Sequence, residues 1–146
     1  MTFVKVCGLT SVQDAEMCVE AGVDSIGINF WAGSRRCCSM SMARAITEAV
    51  AGRTLVVGLF VDAGLEEILE VKAETGVECV QLHGEEPPEL LQPLLPHAYK
   101  ALRVRGPEVL IEAERYPGEY ILLDAFVPGR PGGTGASFDW RIAARL

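Results

Sequence analysis

The sequence predicts an α/β domain built on a parallel sheet. Two observations carry this: six β-branched runs alternate with helix-patterned segments from end to end, and four of the five intervals between run ends fall between 20 and 22 residues. Residues 3–7, 24–30, 54–61, 78–83, 99–103 and 120–124 read as the strands. With Gly8, Phe30, Val61, His83, Arg103 and Asp124 as their ends, the spacings are 22, 31, 22, 20 and 21 residues, so each unit is compact.

The segments between the strands carry apolar residues at helical spacing. In the first helix Ala15, Cys18 and Val19 share a face; Ser11 can cap it, Asp14 lies in its first turn, and Gly22 marks its end. Met42, Ile46, Ala49 and Val50 define the second helix, and Leu65, Ile68 and Leu69 the third, which stops at Gly76. Pro87 and Pro88 suit the start of the fourth and Pro107 that of the fifth. Pro93 interrupts the LLQPLL stretch, which predicts a short or kinked fourth helix. Asp139 in FDW reads as the cap of a sixth.

Right-handed crossovers leave two main architectures, a doubly wound open sheet or a closed (β/α)8 barrel. Six units in 146 residues average about 24 residues each, and eight would need about 195, near the ~200-residue lower end for a barrel. The expectation is therefore a single domain, residues 1–146, of the (β/α)8 TIM-barrel family with about six units. It would be two units short, since the chain stops at Leu146 inside the helical pattern that begins near Asp139. The pattern alone also admits a doubly wound sheet.

Composition narrows the function classes. The chain is 49% hydrophobic and carries 13 Lys and Arg against 20 Asp and Glu, a net charge of −7 with no basic tract, which argues against general nucleic-acid binding. No apolar run nears the ~20 residues of a membrane helix, and the N-terminus lacks the pattern of a signal peptide, so a cytoplasmic location is expected. The five cysteines Cys7, Cys18, Cys37, Cys38 and Cys79 have neither CxxC nor zinc-type spacing, so neither a disulfide framework nor a metal site is expected. Cys18 and Cys79 read as core residues, and the adjacent Cys37 and Cys38 as incidental loop thiols.

In a parallel sheet the loops after the strands emerge on one side, where βα enzymes carry their chemistry. That side collects Cys7, Arg35, Arg36, Asp62, His83, Arg103, Arg105 and Asp124, and sends His97 to the opposite end. Strand alternation places Lys5 with Cys7 on one face of the first strand, and Cys79, Gln81 and His83 on one face of the fourth. A lysine inside a β-branched strand suggests a polar barrel interior. Residues 125–139, AFVPGRPGGTGASFD, form a glycine-rich loop that lacks the lysine of a P-loop; it reads as a substrate-covering loop whose Gly132, Gly133, Thr134 and Gly135 let backbone N–H groups approach a ligand.

Four motifs, VKVCGLT, GSRRCCS, VQLHGEE and ILLDAFVPGRPGGTGASFDW, run in order through the whole chain. Together they resemble the phosphoribosylanthranilate isomerase family, (β/α)8 enzymes of tryptophan biosynthesis. The resemblance implies an Amadori rearrangement of N-(5′-phosphoribosyl)anthranilate, an aminoaldose, to its open-chain ketose, without metal or organic cofactor. It implies Cys7 as general base, Asp124 as general acid, and Arg36 as the group that meets the anthranilate carboxylate. Gln81, His83 and Arg103 join as substrate-binding candidates on the same side of the sheet. Two opposed proton transfers need two groups, one held protonated and one deprotonated.

Two departures accompany the resemblance. Ser34-Arg35-Arg36-Cys37 stands where the family has Ser-Pro-Arg and an aromatic residue. The seventh and eighth units, whose loops bind the substrate phosphate in the family, have no counterpart in the sequence. The 146-residue chain by itself is therefore expected to be weakly active or inactive, with open sheet edges through which it could self-associate or take up a complementing C-terminal segment. Two other readings stay open: a non-catalytic fragment of a split barrel, and a thiol hydrolase or transferase using a Cys7 and His83 dyad.

Overall fold

A computed structural model describes residues 2–129 and 134–146. Six strands, β1 (Lys5–Cys7), β2 (Ser25–Asn29), β3 (Leu55–Phe60), β4 (Cys79–Leu82), β5 (Ala98–Val104) and β6 (Ile121–Ala125), form one sheet in the order β1-β2-β3-β4-β5-β6, every pairing parallel. That sequential order is the barrel order; a doubly wound sheet reverses direction partway across. All six strands fall within a residue or two of the expected positions. β1 differs most, because Phe3 and Val4 are exposed ahead of the ladder.

The helices are α1 (Val12–Glu20), α2 (Met40–Val50), α3 (Leu65–Thr75), α4 (Pro88–Leu91), α5 (Val109–Ala113) and α6 (Trp140–Ala143). Ser11 caps α1, its hydroxyl accepting from the Asp14 amide at 3.1 Å, and Gly76 closes α3 in the left-handed region at φ +77°. Pro93 has the expected effect: α4 runs four residues and passes into a 3-10 turn, Gln92–Leu94. α5 starts two residues after Pro107, whose carbonyl accepts from the Leu110 amide at 3.2 Å. Asp139 caps α6 by accepting from the Arg141 amide.

Alternate residues of each strand point to one side and pack under the helices. Ile26, Ile28 and Val56 meet Ala15 of α1 and Ala43, Ile46 and Val50 of α2. Phe60, Val80 and Leu82 meet Ile68 and Val71 of α3 with Leu91 and Leu94. Leu102 and Val104 meet Val109 and Ala113 of α5, with Phe138 and Ile142 packed against them.

The opposite face curls inward, as two hydrogen bonds require. Lys5 of β1 bonds to Gln81 of β4, three strand spacings away, about 14 Å on a flat sheet. His83, just past β4, reaches Asp124 of β6 at 3.2 Å across β5. Side chains stand roughly perpendicular to a sheet, so they meet across such spans only when it bends.

One buried ion pair anchors the loop after β4. Lys100 and Glu86 are 1% and 3% exposed and meet at 3.0 Å. The Glu86 carboxylate also accepts from the amides of Asp62 and Gly84, which ties the loops after β3 and β4 together. Gly84 fits because any side chain there would collide with Asp62; an added Cβ would lie 2.6 Å from the Asp62 amide nitrogen.

Candidate functional site

The inward face supplies the walls of a cavity of about 340 Å³. Lys5 and Cys7 come from β1, Asn29 from β2, Leu59 and Val61 from β3 and its end, Gln81 and His83 from β4 and its end, and Leu122 and Asp124 from β6. Trp31, Ser34 and Arg36 close it from the loop after β2. The alternation read from the sequence holds here: Lys5 faces with Cys7, and Gln81 with His83. Residues from the first and sixth strands share one wall because the sheet curls.

Cys7 is half-buried and sits in a tight corner. Gly27 lies beside it in register on β2, where an added Cβ would stand 2.7 Å from the Cys7 sulfur. Gly8 follows at φ +85°, a conformation that glycine adopts without strain, and an added Cβ there would be 2.6 Å from the Arg36 guanidinium carbon. That approach lets Arg36 Nη1 donate to the Cys7 carbonyl at 2.6 Å, which fixes the arginine at the cavity mouth while the residue stays exposed.

A hydrogen-bonded chain runs along the cavity floor to Asp124. Lys5 Nζ donates to Gln81 Oε1 and, at 2.9 Å, to the Tyr99 oxygen. Tyr99 donates to Gln81 Oε1 at 2.9 Å. Gln81 Nε2 lies 2.8 Å from His83 Nδ1, and His83 Nε2 lies 3.2 Å from Asp124 Oδ2. The other Asp124 oxygen accepts from the Ala125 amide at 2.9 Å.

Burial sets the ionisation along this chain. It lowers the pKa of Lys5, against the smaller opposing pull of Cys7 and Cys79, and it pushes the Tyr99 phenol well up, so Tyr99 keeps its hydrogen. Burial also lowers the pKa of His83; Asp124 works against that shift, and Lys100 and Lys5 with it. Lys5, on the same face as Cys7, spends its hydrogen bonds on Gln81 and Tyr99.

The other candidates scatter. Arg103 shares the inward face of β5 with Tyr99, yet it pairs with Glu85 and stands 6.0 Å from the Phe126 ring centre, outside the cavity lining. Thr134 is half-buried, its hydroxyl accepting from the Ala136 amide at 3.3 Å, and Gly135 is exposed at φ +71°. Neither lines the cavity; Gly132 and Gly133 lie outside the described residues. His97 is exposed, ahead of β5 at the far end.

The thiols need three corrections. A Cys7 and His83 dyad is not formed, because both ring nitrogens of His83 are engaged by Gln81 and Asp124. Cys38 is not an incidental loop thiol: its amide donates to the Asn29 carbonyl at 2.8 Å, which pulls the side chain into the core at 7% exposure while Cys37 stays exposed. Cys79, expected as a core residue, is only half-buried on the inward face it shares with Gln81, and burial raises its pKa. Among the described residues no group of three His, Cys, Asp or Glu side chains could hold a metal ion, and no helix is long and apolar enough to cross a membrane.

Sequence reading missed Tyr99, Asn29, Trp31 and the Lys100 and Glu86 pair. Tyr99 was findable, since it alternates in phase with Ala101 and Arg103 on β5. So was Asn29, in phase with Gly27 on β2, while Trp31 and the Lys100 and Glu86 pair follow from the path of the chain around the bend.

A parallel sheet in sequential order, curled to gather ionisable side chains at the C-terminal ends of its strands, defines a (β/α)-barrel protein with its site at the end where enzymes of this fold act. Comparison with known proteins gives the particular family. Residues 4–145 match the model of the N-(5′-phosphoribosyl)anthranilate (PRA) isomerase family. The N-(5′-phosphoribosyl)anthranilate isomerase of Rubrobacter xylanophilus is 45% identical over 150 residues, covering 100% of this chain and 73% of that protein. The crystal structure of phosphoribosyl anthranilate isomerase from Thermotoga maritima superposes with a TM-score of 0.84 at 36% identity, over 97% of this chain and 70% of that one. A phosphoribosyl anthranilate isomerase in complex with reduced 1-(o-carboxyphenylamino)-1-deoxyribulose 5-phosphate matches at 37% identity and TM-score 0.77, over 86% of this chain and 66% of that one. The chain belongs to the phosphoribosylanthranilate isomerase family.

Proposed function

We propose that the chain carries the proton-transfer machinery for the Amadori isomerisation of N-(5′-phosphoribosyl)anthranilate, with Cys7 as base and Asp124 as acid. The observation that supports this reading most is that Cys7 and Asp124, from the two edge strands, line one cavity. Asp124 gives its proton to the furanose ring oxygen as the amine lone pair opens the ring to a Schiff base. Cys7 then takes the C2′ proton, leaving an enolamine that tautomerises to the ketose. The Ala125 amide and His83 stand at the two Asp124 oxygens, so the carboxylate formed in the first step is met without rearrangement. Arg36 at the mouth would pair with the anthranilate carboxylate, and Trp31 offers an apolar face to the aryl ring.

Gln81 and His83 belong to the floor beneath the substrate, whereas Arg103, Thr134 and Gly135 lie outside the cavity lining. The phosphate grip implied by the resemblance falls on none of these residues, so the 146 residues by themselves should turn over weakly or not at all.

The test is growth of a tryptophan auxotroph lacking the isomerase, given the 146-residue chain alone or with a segment supplying a seventh and eighth unit. Growth only with the segment is expected. Purified together, the two pieces should lose about 10²–10⁴-fold in turnover on Cys7→Ser or Asp124→Asn. Near-normal turnover in either variant would remove that assignment, and growth on the chain alone would refute the need for further units.

A further inference from the structure

Five side chains from four strands form one directed hydrogen-bonded chain, of which the reaction itself uses only the last, Asp124. We infer that Lys5, Tyr99 and Gln81 are positioning residues that hold His83 as its Nε2–H tautomer, with that hydrogen donated to Asp124 Oδ2. The functional meaning of this rests on Asp124 being the acid; the tautomer itself does not.

The direction of every bond follows from the first donor. Lys5 Nζ has at least two hydrogens to give even where burial lowers its pKa, and both its bonds run outward, to Gln81 Oε1 and to the Tyr99 oxygen at 2.9 Å. Tyr99, accepting from Lys5, sends its own hydrogen to Gln81 Oε1 at 2.9 Å. Two donors on Oε1 fix which end of the Gln81 amide is which, and Gln81 is 2% exposed, so no water substitutes for either. The end that faces His83 at 2.8 Å is therefore the NH2 group, which can only donate.

His83 Nδ1 must then be bare. A neutral imidazole with a bare Nδ1 carries its hydrogen on Nε2, the nitrogen 3.2 Å from Asp124 Oδ2. Burial of the ring, which favours its neutral form, and burial of Tyr99, which keeps its hydrogen in place, act in the same sense. Were the tautomer reversed, two hydrogens would face each other at Gln81, and once Asp124 has lost its proton two lone pairs would face each other there. The device holds a donor at the atom where negative charge develops when Asp124 loses its proton, with no reorganisation.

The ring nitrogens report this directly. The chain has two histidines, and His97 is exposed at the opposite end, so a ¹⁵N-labelled sample and a His83→Gln control identify the His83 signals in a long-range ¹H–¹⁵N correlation spectrum. At neutral pH the 146-residue chain should show a protonated Nε2 and a bare Nδ1. Gln81→Glu, whose carboxylate only accepts, should put a hydrogen on Nδ1. Lys5→Met combined with Tyr99→Phe should free Gln81 Oε1 and mix the tautomers.

A hydrogen on Nδ1 in the unsubstituted chain overturns the inference, and so does an unchanged bare Nδ1 in folded Gln81→Glu. A merely structural Gln81 would lower the urea midpoint and leave the tautomer alone. If the variants do not fold, the unsubstituted spectrum decides. Because no turnover enters the measurement, normal activity in Asp124→Asn would sink the catalytic reading and leave the tautomer standing. A mixed tautomer would do the reverse.

Discussion

Replacing Lys100 by methionine tests whether the loop carrying the His83 end of the site is held by a buried charge pair. Methionine keeps most of the aliphatic stem and deletes the ammonium, which meets Glu86 at 3.0 Å and the carbonyls of Gly84 and Ala101 at 2.7 and 3.0 Å. Both partner side chains are 2% accessible, so the Glu86 carboxylate would be left buried with only amide donors. Removing one member of such a pair costs about 3–5 kcal/mol, against a total stability on the order of 5–15 kcal/mol. With a urea m-value of ~2 kcal/mol per M, the unfolding midpoint should fall by about 1.5–2.5 M at unchanged m. The double variant Lys100→Met with Glu86→Gln removes both charges, and should recover at least ~1.5 kcal/mol relative to the sum of the single changes. A Lys100→Met cost below ~1 kcal/mol, or strict additivity in the double variant, would refute the reasoning.

Two further outcomes are expected. Gly27→Ala places a methyl group 2.7 Å from the Cys7 sulfur, and should cost about 1–3 kcal/mol in urea unfolding; an unchanged midpoint would mean that β1 yields freely. His83 has a folded pKa below its unfolded ~6.5, so the unfolded chain binds the proton first; stability should fall as pH drops below about 6.5, and level off below the folded pKa. Subtracting the His83→Gln pH profile from that of the unsubstituted chain isolates this part from the carboxylates, and a flat difference between pH 7 and 5 would contradict it.

How much was legible in the sequence differs between the backbone and the site. β-branched runs and their spacing placed six strands correctly because strand alternation and helix periodicity are local properties, carried within a few residues of chain. The same alternation put Lys5 with Cys7 and Gln81 with His83 on the inward face, and the C-terminal strand ends located Cys7, Arg36 and Asp124. Cys38 went astray because its burial depends on its loop folding back to the Asn29 carbonyl, a contact with no local signature. Arg103 was assigned the right face, but its partner Glu85 lies on another loop.

The sequence by itself determined the order of elements, the inward and outward residues of each strand, and the family, since all of these are written in short-range pattern and motif. Only the tertiary structure decided that Lys5 reaches Gln81 across two intervening strands, that His83 turns to Asp124 instead of Cys7, and that Lys100 is sealed against Glu86. The physical reason is curvature. How tightly a sheet bends depends on packing summed over all the helices behind it, and that bend selects which side chains of distant strands come within the 3 Å or so that a hydrogen bond allows.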